Sequence, residues 1–125
     1  MPGFIPHFLA GHFIFLLSYG ILYSYTSLEK TTNNTLLLYS VCIIFSIIPD
    51  FPLGLFYILN IGTFSSLLQY HALLHKIISP LAVSVFIVLS VFNIIRKKQI
   101  WIVGVFCIIL HIFLDATIEE MGVWI

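Results

Sequence analysis

All five histidines of the chain, His7, His12, His71, His75 and His111, lie in or beside long apolar stretches, as do both aspartates, Asp50 and Asp115. An ionisable side chain inside a membrane span costs roughly 2.5–3.5 kcal/mol on insertion scales, so a set of this kind needs a shared purpose. Imidazole and carboxylate together are ligands for zinc and related divalent ions. The spacing fits that chemistry: His71/His75 and His111/Asp115 are each four apart, which puts both members on one helix face with Cβ atoms ~5–6 Å apart. Two imidazoles, or an imidazole and a carboxylate, can share one ion from that spacing. His7 and His12 are five apart and diverge by ~140° on a regular helix, so at most one of them is expected to be a ligand. The candidate metal ligands are therefore His7, His12, Asp50, His71, His75, His111 and Asp115. Asp50 or Glu119, the first of the pair Glu119-Glu120, is the candidate general base, and Thr117 is a candidate hydrogen-bond donor to Asp115.

Plainer roles stand beside these. A histidine in a span can bond a backbone carbonyl, Asp50 can cap a short helix over Leu53–Ile61, and Asp115 can cap or pair with Lys76. Glu119 and Glu120 can be a solvated pair.

The elements that carry these residues follow from composition. Of the 125 residues 61% are hydrophobic and 8% charged, with a mean hydropathy of +1.14. That is more apolar surface than a water-soluble domain usually hides. Four apolar stretches stand out, Phe4–Tyr25, Leu36–Ile61, Ile77–Ile95 and Ile100–Ile118, each long enough or nearly so to cross ~30 Å of hydrocarbon as a helix. Unpaired peptide groups are costly in lipid, so the expected fold is all-α: a polytopic membrane bundle of about four transmembrane helices, forming one domain over residues 1–125. The N-terminus lacks the basic region of a secretory signal and is expected to be retained. Cys42 and Cys107 sit within apolar runs and read as small core residues. Net charge is zero, which argues against nucleic acid as a partner and leaves membrane lipid as the expected one.

Pro49-Asp50-Phe51-Pro52 should break the second helix, because proline lacks an amide donor and disfavours helix in the residue before it. Broken backbone at membrane depth is tolerated where it lines a polar cavity, so Asp50 is expected to face a site. His71 and His75 fall in the connection Gly62–Lys76, expected to be a short helical segment outside the spans. The turn Arg96-Lys97-Lys98-Gln99 is expected on the cytoplasmic side, which assigns both termini and the metal site to the non-cytoplasmic side.

Topology turns the scattered ligands into one cluster. At ~1.5 Å per residue a helix rises ~21 Å from Leu36 to Asp50 and ~22 Å from Ile100 to Asp115, and both stretches run the same way. The two carboxylates should reach one level. His7 and His12 start a helix running the opposite way, and the connection carrying His71 and His75 lies at that same face.

The pattern Met1-Pro2 with His7-Phe8-Leu9-Ala10-Gly11, then Ile48-Pro49-Asp50, then a histidine-bearing connection, then His111-Ile112-Phe113-Leu114-Asp115 and Gly122-Val123, resembles a family of small membrane-bound proteins assigned as metal-dependent hydrolases, among them the LexA-binding inner-membrane-associated type. The resemblance spans most of the chain through short motifs. It implies metal-ligand roles for His7, Asp50, His111 and Asp115. In the family's His-Arg-Gly-x-x-His-Ser block this chain has His71-Ala72-Leu73-Leu74-His75-Lys76, one residue shorter and without the Arg, Gly or Ser. After the family's proline, where Asp-x-Asp-His often stands, it has Asp50-Phe51-Pro52.

The expected function is metal-assisted hydrolysis at the bilayer interface, with a lipid phosphoester or ester as substrate and Zn²⁺, or Mn or Fe, as the ion. The rival is a non-enzymatic membrane protein whose cluster binds an ion or fixes helix packing. A conducting role predicts polar residues through to the opposite face, yet Leu36–Ile44 and Ile100–Ile109 are nearly all apolar.

Overall fold

A computed structural model describes residues 4–92 and 97–117, and among them there are helices and no strand. Helix α1 covers Phe4–Tyr25, with Pro6 in its first turn, where a missing amide costs nothing. After it the chain turns and Thr31 caps α2, Thr32–Ile47, its hydroxyl accepting the Asn34 amide N–H at 3.2 Å. The buried Asn34 side chain donates back to the Glu29 carbonyl at 2.7 Å. This cap draws Thr32 to Thr35 into the helix, so α2 starts earlier than the apolar run that begins at Leu36.

The break expected at the two prolines is present. A single 3₁₀ turn, Ile48–Asp50, ends α2, and a short helix α3, Phe51–Leu59, follows with Pro52 in its first turn. Asn60 closes α3 in the left-handed conformation at φ 52°, a common role for asparagine at a helix C-terminus.

The next segment refines the sequence-based expectation. His71 and His75 lie in a helical segment, as expected, but no turn separates it from the third span: helix starts at Phe64, capped by Thr63, and continues to Val91. No breaker lies between Phe64 and Ser79, and the polar residues Ser65, Ser66 and Gln69 are carried on the helix surface. Within this run, α4 is Phe64–Leu73 and α5 is Ser79–Val91, joined by a π-helical turn at Leu74–Ile78. Pro80 supplies a reason: its ring would clash with the carbonyl of Lys76 in a regular α-helix, and widening the preceding turn relieves that clash. Helix α6 covers Lys98–Thr117.

Helix α2 packs against both α1 and α6, α1 also meets α6, α5 packs on α6, and α3 lies against α4. The core between α1, α2 and α6 consists of Leu22, Leu38, Val41, Cys42, Ile100, Val103 and Cys107. Two glycines allow close helix approach. A Cβ on Gly11 would sit 2.9 Å from Ser46 Oγ, and one on Gly104 would overlap the Phe45 ring. Trp101 stacks on Phe86 at 5.6 Å between ring centroids and packs on the core. Leu9, Phe13, Leu16, Leu81, Val88 and Phe106 point outward. Four helical segments, 5–25, 32–50, 64–91 and 98–117, are long and apolar enough to cross a membrane, and an apolar exterior suits lipid.

Candidate metal centre

Four parts of the chain deliver side chains to one end of this bundle. His7 comes from the first turns of α1, Asp50 from the 3₁₀ turn after α2, His71 and His75 from α4 and the π turn, and His111 and Asp115 from the last two turns of α6. His7, Asp50, His71 and His111 are each 4% exposed or less. The two carboxylates reach one level, as the equal helix lengths required: His7 Nε2 lies 3.4 Å from Asp50 Oδ2 and 3.2 Å from Asp115 Oδ1.

The remaining separations form a narrow set. His75 Nε2 is 3.3 Å and His71 Nδ1 3.5 Å from Asp50 Oδ1. His111 Nε2 is 3.6 Å from that same oxygen and 3.3 Å from Asp115 Oδ2, and His75 Nδ1 is 3.3 Å from Asp115 Oδ2. His111 Nε2 and His75 Nε2 are themselves 3.3 Å apart. The His7 and His111 rings stack at 3.8 Å between centroids.

These distances separate two kinds of contact. A charge-assisted N–H···O bond shortens to ~2.7–2.9 Å, whereas four ligands at ~2.0–2.1 Å from a tetrahedral ion stand about 3.3 Å from one another. Most of the cluster sits at the second spacing. Asp50 Oδ2, Asp115 Oδ2, His71 Nδ1 and His7 Nδ1 are buried without a hydrogen-bond partner, although a carboxylate or ring nitrogen stands within about 3.5 Å of each of the first three. Leaving such groups unmet is costly, and a cation among them removes that cost for the atoms that face it. One short bond does occur: His111 Nδ1 donates to the Ser46 carbonyl at 2.7 Å, which fixes the tautomer and turns the Nε2 lone pair into the cluster. The buried group His7, Asp50, His111 and Asp115 could hold a metal ion, and so could Asp50, His71 and His75; in each group the ligand atoms lie within 4.8 Å of one another.

Six of the expected ligands are thus brought together, and His12 is not. Its ring turns away with the helix, and Nε2 meets the Tyr39 hydroxyl at 3.3 Å, which agrees with the ~140° divergence from His7. Asp50 makes no side-chain cap to α3, so its carboxylate belongs to the cluster. Asp115 meets His7, His75 and His111, where Lys76 was the alternative partner. Thr117 donates to the Phe113 carbonyl at 2.8 Å, the backbone bond open to any threonine in a helix, and does not bond Asp115. Glu119 and Glu120 lie outside the described residues. Sequence reasoning missed the Ser46 carbonyl, a main-chain atom with no side-chain signature, and the π turn, for which Pro80 was the available signal.

Beside the cluster a cleft of about 170 Å³ is lined by Asp50 and by Phe51, Gly54, Leu55, Ile58 and other apolar residues of α2 and α3. Asp50 is its one ionisable lining residue. Compared with protein-family models, curated proteins and solved structures, the chain matches none.

Proposed function

We propose that this protein is a membrane-embedded metal-dependent hydrolase acting at the bilayer interface on a lipid phosphoester or ester. The observation that carries the reading is the ligand-like spacing, 3.2–3.6 Å, of buried imidazole and carboxylate atoms from separate helices. The resemblance to membrane-bound metal-dependent hydrolases points the same way. Histidine and aspartate suit Zn²⁺, the ion proposed here, and also Mn²⁺ and Fe²⁺. When bound, such an ion would activate water and polarise a phosphoryl or acyl oxygen. Asp50 or Glu119 is the proposed proton acceptor, and the apolar cleft beside Asp50 is the proposed seat of an acyl chain. Lys98 begins the helix that ends near Asp115, ~25 Å further along. With the basic turn in the cytoplasm, the cluster and the termini therefore belong to the opposite, non-cytoplasmic face.

The test is a panel of lipid phosphoesters and acyl esters presented in mixed micelles to protein purified in detergent and supplied with Zn²⁺ or Mn²⁺. Turnover that stops with a chelator and returns on adding the ion is expected. Metal-loaded protein that turns over none of them would leave the rival, an ion held to fix helix packing, as the reading.

A further inference from the structure

The ligands fall into two unequal groups that share one residue, and we infer that the centre holds two divalent cations bridged by the Asp50 carboxylate. This deepens the proposed function, on which only its catalytic consequence rests. One group, His7, Asp50, His111 and Asp115, supplies four ligands from α1, the 3₁₀ turn and α6; the other, Asp50, His71 and His75, supplies three. Asp50 reaches both: Oδ2 faces His7 at 3.4 Å, while Oδ1 faces His75 at 3.3 Å and His71 at 3.5 Å and stands farthest, at 3.6 Å, from His111. One tetrahedral ion cannot take all six side chains, and the six do not fall in a single group that a six-coordinate ion would need. A single ion would leave His71 Nδ1, in a residue only 4% exposed, buried and unmet, and that atom has no hydrogen bond now.

The two positions have different characters. Four protein ligands close the shell of the inner ion, the arrangement of structural zinc sites, whereas three leave the outer ion one coordination position for water or substrate. The outer group shares Asp50 with the apolar cleft, so the open position and the acyl-chain seat are neighbours. Both Asp50 oxygens are then ligands, which makes Asp50 the residue that holds the pair together and not the proton acceptor. The π turn carries His75 and directly follows the α4 turn that bears His71, so it helps set the position of the outer group.

Mn²⁺ titration of metal-stripped protein in detergent tests this, with bound metal counted by elemental analysis and the spin state read by electron paramagnetic resonance. Two Mn²⁺ per chain are expected, with the broad signal of an exchange-coupled pair at full loading. His71→Asn with His75→Asn should reduce the count to one and give the six-line signal of an isolated ion; His71→Asn alone should weaken the second ion at least tenfold. One ion per chain at saturation in the unmodified protein would overturn the inference, as would two uncoupled ions or an unchanged count in the double variant. The count is independent of turnover. A single ion with lipid hydrolysis removes the pair and keeps the proposed function, while a coupled pair without hydrolysis does the reverse.

Discussion

At one end of the bundle Leu38, Val41 and Cys42 of α2 meet Ile100, Val103 and Cys107 of α6 in an apolar core, whereas at the other end of the same two helices Asp50, His111 and Asp115 meet with carboxylate oxygens left unbonded. Among the described residues, this buried core contains no polar side chain. It is held by shape, through contacts close enough that Gly104 has no room for a Cβ beside Phe45. The ligand end is buried as deeply, with His7 and His111 each 1% exposed, yet all but one of its imidazole–carboxylate pairs stand 3.3–3.6 Å apart, beyond the usual hydrogen-bond distance. Burial alone therefore does not describe a membrane-helix interior. One half is apolar throughout, and the other gathers buried ligand-type atoms that could hold a metal ion.

The contrast can be broken most directly at the ligand end. His111→Ala with Asp115→Ala should lower metal affinity by two orders of magnitude or more, read by equilibrium dialysis, since it removes two of the four inner ligands. The milder pair His111→Asn with Asp115→Asn should do the same in a protein that still elutes as folded, and unchanged metal content there would take α6 out of the centre. A smaller effect is expected from Leu38→Ala at the apolar end. The side chain is fully buried, and its loss should cost about 2 kcal/mol of stability in denaturant unfolding, the low end for core truncations because lipid, not water, is the competing surroundings. Metal stoichiometry should not change; if Leu38→Ala emptied the centre, the two ends would be one cooperative unit. The smallest effect belongs to His12→Phe, which should leave metal affinity within about twofold, because His12 bonds Tyr39 and touches no ligand atom of the cluster.

Much of this arrangement is readable from residue order. Hydropathy gives four spans, and Pro49 and Pro52 give the break, because a missing amide acts locally whatever surrounds it. The common level of Asp50 and Asp115 follows from helical rise, a property of the backbone that side chains scarcely alter. The exclusion of His12 was only half readable: its divergence from His7 is an angle fixed by the helix, but which of the two faces inward depends on how α1 is rotated against α2, where Gly11 nestles against Ser46.

His71 and His75 show where local reasoning stops. Their polar neighbours suggested a connection, and only the packed structure continues α4 through a π turn into α5. Residue type and spacing, then, dictated the helices, the break and the gathering of ionisable groups at one end, since these depend on backbone geometry and on the cost of charge in lipid. Helix rotation, the Ser46 carbonyl behind His111 and the division of ligands around Asp50 were decided by packing between helices distant in the chain. Those are contacts of a few ångströms, and no local propensity encodes them.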